Sequence, residues 1–293
     1  MFLSLSLGYL LARAGVFKTE AASVLNQYVI TIALPAMVLL EVPKISFSIE
    51  LLGVVSVAWI AMGSSALMVL WGAKRLALSR EVTGSLMLVA VLTNSTFLGI
   101  PIIQALLGAE SLGYIMVYDQ LGTFIALATY GTFVAALYSS SHAKADIKGS
   151  LLKVVKLPPF IAFVIALLLD GSTLPQPLQA VLHSLSLTIV PLALVAVGLQ
   201  LQLRLPRHDL RPFTFALFVK LLFSPLIALI AVMMIGLDGI AMQVSVLEAA
   251  MAPMITAGVL ASNAGLAPRL SSAIVGYGII FSLATSLFWY ALL

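Results

Sequence analysis

The stretch "TNSTFLGIPIIQALLG", Thr93 to Gly108, places small polar residues and helix breakers inside an apolar segment. It holds four consecutive polar residues followed by a glycine and a proline, namely Thr93, Asn94, Ser95, Thr96, Gly99 and Pro101. Proline has no backbone N–H and its ring clashes with the preceding turn, and glycine loosens the same turn. We therefore predict that Gly99 and Pro101 interrupt a helix near the middle of its apolar segment.

The composition around this stretch is that of a membrane protein. Of 293 residues, 62% are hydrophobic and 9% are charged, and the mean hydropathy is +1.15, whereas soluble domains carry roughly 25% charged residues. Apolar runs such as Leu51 to Trp71 and Phe213 to Ile235 reach the roughly 20 residues that a membrane-spanning helix needs. They do not alternate as transmembrane strands do. We therefore predict an all-α polytopic protein embedded in a lipid bilayer.

Hydrophobic segments recur along the whole chain, and we count ten. Their approximate bounds are 1–12, 21–41, 51–73, 82–107, 111–138, 154–170, 177–201, 212–235, 240–263 and 270–292. Twelve helical residues rise about 18 Å, which is short of a hydrocarbon core of roughly 30 Å. The first segment is therefore either a partial span or the end of a longer natural helix within which this chain begins. We favour the second explanation.

Basic residues are concentrated in the connections after odd-numbered segments. They are Arg13, Lys18, Lys74, Arg75, Arg80, Lys144, Lys148, Lys153, Lys156, Arg204, Arg207, Arg211 and Arg269. The opposite connections hold only Lys44. The positive-inside rule then places the basic connections in the cytoplasm and both termini outside it, in a cell (inner) membrane. The formal charge of +4 is read as this topology signal and not as a nucleic-acid-binding surface.

The two halves of the chain look related. The polar linker "SSSHAKADIKGS" begins at residue 139, and we divide the chain into a first repeat (1–138), a cytoplasmic linker (139–153) and a second repeat (154–293). Matching pieces recur at offsets of 156, 152 and 157 residues, pairing Pro35 with Pro191, Pro101 with Pro253, and Phe124 with Phe281. Since five spans is an odd number, the second repeat must be inverted. Inverted repeats with interrupted helices are typical of secondary transporters.

The second half also carries a possible interruption. The stretch "EAAMAPMITAG" contains Pro253, Thr256 and Gly258, so helices four and nine are predicted to be broken and to cross near the bilayer midplane. Their N-termini would direct partial positive charge to one point, which suits an anion. The polar side chains of Asn94, Ser95, Thr96 and Thr256 could donate hydrogen bonds. The alternative is a pair of proline kinks without a binding role.

Ionisable residues within apolar segments mark functional candidates. Asp119 and Gln120 lie in segment five, and Glu248 lies five residues before Pro253. Either carboxylate could carry a coupling proton. The alternatives are an Asp solvated near the outer end of its segment and a Glu in an outer vestibule. Lys220 either reaches the cytoplasmic face or faces the bundle and neutralises a carboxylate, and we favour the bundle.

Metal and cofactor chemistry finds no support in the sequence. No histidine pair has the spacing of metal ligands, and the chain has no cysteine, which excludes disulfides, thiolate catalysis and zinc–thiolate sites. We predict no metal site and no cofactor. Paired acids with a histidine are also missing, so an integral membrane enzyme is not expected.

Several motifs resemble the auxin efflux carrier family. They are "GYLLARAGVF" at Gly8, "ALPAMVL" at Ala33, "NSTFLGIP" at Asn94, "YDQLGTF" at Tyr118, "KLPP" at Lys156, "VPLALVAVGLQL" at Val190 and "AMAPMITAGVLA" at Ala250. The resemblance implies ten helices in two inverted five-helix repeats, on a scaffold like that of bile-acid symporters and sodium/proton antiporters. It implies small organic anions, such as carboxylates and indole acids, as substrates, and a homodimer as the assembly. By motif position, Asn94, Gly99 and Pro101 form the first crossover, and Pro253 with Thr256 the second. The short first segment and the short central linker depart from the family pattern.

The sequence thus predicts a secondary transporter, an efflux carrier for a small organic anion that works by alternating access. Asn94, Ser95, Thr96, Gly99, Pro101, Pro253 and Thr256 form the predicted binding site, with Asp119, Gln120 and Glu248 as coupling candidates. One alternative is a sodium-coupled symporter of the bile-acid type, in which Glu248 and Gln243 would help bind the cation. Another is a membrane sensor that binds its ligand without translocating it, although no soluble output domain is evident. The substrate, the direction of transport and the coupling ion stay open.

Overall fold

The computed structural model describes residues 2–17, 20–44, 49–139, 148–149, 152, 155–169, 174–201 and 210–293. Over these ranges the backbone is helical and contains no β-strand. The first half holds α1 (Phe2–Arg13), α2 (Ala21–Tyr28), α3 (Leu34–Glu41), α4 (Ile49–Arg75), α5 (Arg80–Val89), α6 (Ile100–Leu107), α7 (Leu112–Val117) and α8 (Thr132–Tyr138). The second half holds α9 (Pro158–Leu168), α10 (Gln176–Ser186), α11 (Ile189–Gln200), α12 (Leu210–Phe218), α13 (Ser224–Ile235), α14 (Gly239–Ala249), α15 (Ile255–Asn263) and α16 (Pro268–Leu292).

Among the described residues, six helical stretches are long and apolar enough to cross a bilayer. They are Ala21–Glu41, Glu50–Arg75, Ala109–Tyr138, Gln176–Gln200, Leu210–Ile235 and Pro268–Leu292. Shorter apolar helices cover Ser95–Leu107, Pro158–Leu168 and Gly239–Ala249. The prediction of an all-α polytopic membrane protein is confirmed at this level. Ten spans, an inverted repeat and its domain limits stay predictions, and most of the predicted linker 139–153 lies outside the described residues.

Several spans are not purely α-helical but contain wider π-helical turns. These turns are Val29–Ala33, Ser95–Gly99, Tyr118–Phe124, Leu127–Gly131 and Val219–Phe223. Three of them lead directly into helices with a proline in the first turn, Pro35 in α3, Pro101 in α6 and Pro225 in α13. A proline cannot donate to the carbonyl four residues earlier. A wide turn before the proline lets the chain continue as a helix past this missing hydrogen bond.

Tryptophan side chains bond to carbonyls within these wide turns. The indole N–H of Trp289 donates to the Leu221 carbonyl at 3.0 Å, which is the carbonyl that Pro225, four residues later, cannot reach with an N–H. The indole N–H of Trp59 donates to the Leu121 carbonyl at 3.2 Å. Because no water is present in the hydrocarbon core, an unbonded carbonyl there costs several kcal/mol. The two indoles therefore stabilise irregular turns that lipid alone would not tolerate.

The first helix is held by the second half of the chain. α1 packs on α11, with Gly8 of α1 placed directly against the backbone of Val195 and Gly198. A Cβ atom at Gly8 or at Gly198 would collide with the facing backbone. Small residues allow transmembrane helices to approach this closely. The short first segment is thus an integral part of the bundle.

We predict that Trp289→Phe destabilises the protein because it leaves the Leu221 carbonyl buried without a donor. The expected loss is about 1–3 kcal/mol, seen as a lower Tm in thermal unfolding of the detergent-purified protein. Trp71→Phe is the matched control, since Trp71 is 56% exposed. Equal Tm values for the two variants would show that the indole hydrogen bond contributes nothing.

Candidate functional site

Two helices of the bundle are broken, and their breaks lie side by side. α5 ends at Val89 and helical structure resumes at Ser95, while α14 ends at Ala249 and α15 begins at Ile255. Thr93 and Pro253 form an isolated antiparallel bridge between the two breaks. The irregular backbone of one break is thus positioned by the other, and we call this place the crossover (residues 90–94 and 250–254).

Backbone hydrogen bonds join the two breaks. The Asn94 N–H donates to the Ala252 carbonyl at 3.0 Å, and the Met254 N–H donates to the Leu92 carbonyl at 3.0 Å. Most residues of the crossover are fully buried. Backbone that leaves a helix at membrane depth is tolerated when it is buried in protein and its polar groups are bonded. The crossover is buried, and these two hydrogen bonds satisfy backbone groups of both breaks.

The first break does not lie where the sequence placed it. Gly99 and Pro101 were predicted to interrupt segment four, and that location is wrong. The interruption is at residues 90–94, and Gly99 closes a π-turn by donating from its N–H to the Asn94 carbonyl at 3.1 Å. Pro101 lies in the first turn of α6, directly after the π-turn Ser95–Gly99, and such a wide turn lets the helix continue past the N–H that proline lacks. Pro253 does lie within its break, as predicted. Its bridge partner in the first break is Thr93, and not Pro101, with which the sequence repeat pairs it.

Asp119 is fully buried and surrounded by donors. Ser95 Oγ donates to Asp119 Oδ1, Thr96 Oγ1 lies 3.0 Å from both carboxylate oxygens, and Gln120 Nε2 lies 3.1 Å from Oδ2. Thr123 Oγ1 is 3.3 Å from the Ser95 hydroxyl. This burial excludes a solvated Asp119 at the outer end of its segment. The hydroxyls of Ser95 and Thr96 are engaged by this carboxylate and do not face an open site.

Lys220 is buried and reaches both breaks. Its Nζ donates to Thr93 Oγ1 at 2.5 Å and to the Ala249 carbonyl at 3.2 Å. The Ala249 carbonyl precedes Pro253 by four residues, so Pro253 leaves it without its helical partner. It also lies at the C-terminal end of α14, where a positive charge is favourable. The preferred prediction that Lys220 faces the bundle is confirmed. Its hydrogen bonds go to a hydroxyl and a backbone carbonyl, so the expected contact with a carboxylate is not among them.

Glu248 is fully buried, and neither carboxylate oxygen has a hydrogen-bond partner among the described residues. Its side chain lies against Gly99, where a Cβ atom would be 2.5 Å from Oε1. The alternative of an outer-vestibule Glu is excluded by this burial. The side-chain nitrogen of Asn94 is also buried without a partner, and buried polar groups of this kind call for an explanation.

Two further sequence candidates lie apart from this cluster. Thr256 is exposed on α15, so the structure does not bring it to the side chains around Asp119. Gln243 is half-buried on α14, five residues before Glu248, and a helix turns by about 3.6 residues per turn. The side chains of Gln243 and Glu248 therefore leave α14 on different faces.

A cavity of about 590 Å³ lies beside the second broken helix. Its lining comes from α1, α2, α11, α15 and α16 and from Phe17 between α1 and α2. The residues are Ala12, Phe17, Ala22, Leu199, Gln200, Ile255, Gly258, Val259, Ser262, Ser272, Val275, Gly276 and Ile279. The lining is mostly apolar and carries no charged side chain. Ile255, the first residue of α15, lines the cavity and directly follows the crossover in the chain. None of the residues predicted for the site lines it.

Sequence reasoning missed two contributors to the crossover. Thr93 stood within the opening stretch but was given no role, and Lys220 was placed in the bundle with a carboxylate as its expected partner, whereas it bonds to Thr93 and the Ala249 carbonyl. The position of Lys220 in the middle of segment eight was a usable signal, since a buried cation requires acceptors. Its particular acceptors depend on tertiary packing and are not visible in the sequence.

These features define a class, that of polytopic helical membrane proteins with irregular backbone buried in the bundle. Comparison with known proteins gives the particular family. The family described as "Membrane transport protein" matches residues 1–290. An uncharacterized transporter of Methanothermobacter thermautotrophicus is 30% identical over 291 residues, which cover 98% of this chain and 94% of that protein. An uncharacterized transporter of Methanocaldococcus jannaschii is 26% identical over 291 residues, covering 96% of this chain and 93% of that protein.

The chain therefore belongs to the membrane transport protein family, which is the auxin efflux carrier family that its motifs resemble. The prediction of a multi-pass membrane protein of a transport family is confirmed. A transport family also accords with the expectation that the chain is not an enzyme.

We predict that Gly99→Ala disturbs the crossover, because the new methyl group would meet the Glu248 carboxylate. Overpacking of this kind costs about 1–3 kcal/mol and should lower the Tm of the purified protein. Gly63→Ala is the matched control, since a Cβ atom at Gly63 in α4 has no neighbour within 4 Å. Alanine also favours a helix by up to about 1 kcal/mol over glycine. A Gly99→Ala variant as stable as the Gly63→Ala variant would contradict the close contact between Gly99 and Glu248.

Proposed function

We propose that this protein is a secondary transporter, an efflux carrier for a small organic anion such as a carboxylate. The observation that carries the proposal is the crossover, where two broken helices are joined by the Asn94–Ala252 and Met254–Leu92 hydrogen bonds. Transporters with discontinuous helices place their substrate at such points, near the bilayer midplane. Membership of a transport family supports the same conclusion.

The anion would be held at the ends of the broken helices. Ser95–Leu107 and α15 both begin at the crossover, and the N-terminus of a helix favours negative charge. The Asn94 side-chain nitrogen is buried without a partner, so it is the donor available to a carboxylate. Gly99, Pro101 and Pro253 shape the two breaks.

Ser95, Thr96 and Thr256, which the sequence also predicted as binding residues, would not hold the anion directly at the crossover. Ser95 and Thr96 hold Asp119 and support the site indirectly. Thr256 lies one residue after Ile255, which lines the cavity, so it would meet the substrate on its way to the crossover. The cavity itself would be the route between the crossover and the membrane surface.

Coupling to a proton fits Glu248 better than Asp119. Asp119 already accepts hydrogen bonds from Ser95, Thr96 and Gln120, which stabilise a carboxylate in one ionised state. Glu248 has no such donors, so a proton or a nearby cation is needed to compensate its charge. Asp119 and Gln120 would then hold the first broken helix in place, and Glu248 would carry the proton.

The proposal includes the arrangement expected from the sequence. Two inverted five-helix repeats, residues 1–138 and 154–293, would move relative to one another around the crossover to give alternating access. The protein would lie in the inner membrane with both termini outside the cytoplasm. It would assemble as a homodimer. The grouping of the paired breaks at one point supports this arrangement, since each proposed repeat supplies one of them.

A sodium-coupled symporter and a membrane sensor are the alternatives. Uptake that depends on sodium would favour the symporter. Binding of a carboxylate without flux into proteoliposomes would favour the sensor. No observation on the crossover favours a sensor, because a binding site alone would not require two broken helices to meet at membrane depth.

We predict that Asn94→Ala strongly weakens substrate binding while the protein stays folded. A panel of carboxylates is first screened by thermal shift, because a ligand that binds only the native state raises the Tm. The best ligand is then used for binding and for flux in proteoliposomes. Loss of one hydrogen bond to a charged group costs about 1.5–3 kcal/mol, which is roughly a 10- to 150-fold weaker Kd.

Asn263→Ala is the control for this experiment, since Asn263 is an exposed residue at the end of α15 and lies outside the crossover. It should bind and transport like the unmodified protein. Full transport by the Asn94→Ala variant would refute the assignment of the site.

A further inference from the structure

Three cations lie where α4 ends and α5 begins, and we call residues 74–80 the basic turn. Lys74 and Arg75 are the last residues of α4, Arg80 is the first residue of α5, and all three are exposed. Among the described residues, their polar and ring contacts are one backbone carbonyl and two aromatic rings. None of these partners is a carboxylate, so the three positive charges are not compensated there.

The backbone of the basic turn is fixed by hydrogen bonds. The Leu76 N–H donates to the Gly72 carbonyl at 2.8 Å, and the Leu78 N–H donates to the Ala73 carbonyl at 3.0 Å. Between them, Ala77 has a φ angle of 49°, a left-handed conformation that residues other than glycine rarely adopt. Such a conformation persists only where the surrounding structure enforces it. The flanking cations are therefore carried on a rigid piece of backbone.

The guanidinium group of Arg80 is held against the end of α8. Its Nη2 donates to the Leu137 carbonyl, and its Cζ lies 5.8 Å from the centroid of the Tyr138 ring. Tyr138 reaches this position because Gly84, one turn after Arg80, has no side chain, and a Cβ atom there would lie 2.5 Å from the Tyr138 Cβ. A guanidinium carries several N–H donors. The bond to Leu137 orients the group and leaves further donors unused.

Arg75 is oriented by an aromatic ring as well. Its Cζ lies 5.6 Å from the centroid of the Trp71 ring, and Trp71 is exposed one turn earlier on α4. Tryptophan is enriched at the level of the lipid headgroups. On α8, the apolar side chains of Phe133 and Leu137 are also exposed and lie one turn apart. Cations and exposed apolar surface thus meet at this end of the bundle.

The helix dipole accounts for only part of this arrangement. A positive charge is favourable at the C-terminus of a helix, which suits Lys74 and Arg75 at the end of α4. The same rule disfavours Arg80 at the start of α5, where Glu81, the one acidic residue within 71–82, is the expected charge. Arg80 caps the carbonyl of Leu137 in the last turn of α8, but that cap needs neither Lys74 nor Arg75. Three unpaired cations on one rigid turn are what an anion requires.

We propose that the basic turn binds the headgroup phosphate of an anionic phospholipid. Arg75 and Arg80 donate to the phosphate oxygens, because the planar guanidinium matches phosphate geometry, and Lys74 adds a third charge. Basic residues next to transmembrane helices attract anionic lipids. An acyl chain of the lipid lies on the exposed surface of Phe133 and Leu137. The site is distinct from the crossover and does not depend on the proposed transport function.

The test measures the Tm of the detergent-purified protein with added phosphatidylglycerol, phosphatidylcholine or inorganic phosphate at equal ionic strength. A ligand that binds only the native state raises the Tm. Phosphatidylglycerol should raise it by about 4 °C or more, whereas phosphatidylcholine and inorganic phosphate should not. The triple variant Lys74→Gln, Arg75→Gln and Arg80→Gln should lose this response, since its affinity for the anionic lipid should fall roughly 100-fold.

The matched control removes three other cations, with Arg13→Gln, Arg211→Gln and Arg269→Gln. These exposed arginines lie at the ends of α1, α12 and α16, so the net charge falls by the same amount. The control variant should keep the response to phosphatidylglycerol. An equal loss in both triple variants would overturn the proposal, because it would show attraction by net charge and no site at the basic turn.

Two results with the unmodified protein would also overturn the proposal. One is a Tm that phosphatidylglycerol raises no more than phosphatidylcholine does. The other is equal stabilisation by inorganic phosphate, which would show a site for a free anion. If the triple variant does not fold because the Leu137 carbonyl has lost its donor, Lys74→Gln with Arg75→Gln decides. It leaves that hydrogen bond intact and should lose most of the response, and a full response would refute the site.

Discussion

Inside a bilayer, a backbone N–H or C=O without a hydrogen bond costs several kcal/mol, and the centre of this protein depends on how that cost is avoided. Two helices stop at residues 90–94 and 250–254, where each would expose unpaired groups if it were alone. The Asn94–Ala252 and Met254–Leu92 hydrogen bonds satisfy one break with the other. Neither break is stable without its partner, so the crossover forms as one unit.

The same requirement explains the position of several polar side chains. Trp289 donates to the Leu221 carbonyl that Pro225 leaves unbonded, and Lys220 donates to the Ala249 carbonyl that Pro253 leaves unbonded. In each case a proline removes a backbone donor and a distant side chain supplies another. Trp289 does so without a charge. Lys220 brings a cation into the bundle, and Thr93 Oγ1 accepts a second hydrogen bond from it.

The class of the protein could be predicted from the sequence because hydropathy and run length are local properties, and six of the expected spans have described helices of sufficient length. The signal for the break at Pro253 was also local, since the proline itself marks the place where the helix stops. The first break was misplaced because residues 90–94, "AVLTN", contain no helix breaker, and their conformation is imposed by pairing with residues 250–254. Ser95 and Thr96 were assigned to substrate for a similar reason. Their polarity is visible in the sequence, but the Asp119 that engages them comes from another helix.

The two buried carboxylates differ in a way that matters for a carrier. A polar network in which every group is bonded holds a structure rigid, and Asp119 with Ser95, Thr96 and Gln120 forms such a network. Alternating access instead requires groups whose interaction free energy differs between two conformations, since a ligand shifts an equilibrium only by its differential affinity for the two states. Glu248 and the Asn94 side-chain nitrogen are buried but unbonded, so each can gain a partner when a proton or an anion arrives. In the proposed carrier, Asp119 therefore holds the first broken helix in place. Asn94 binds the anion that enters the site, and Glu248 binds the proton.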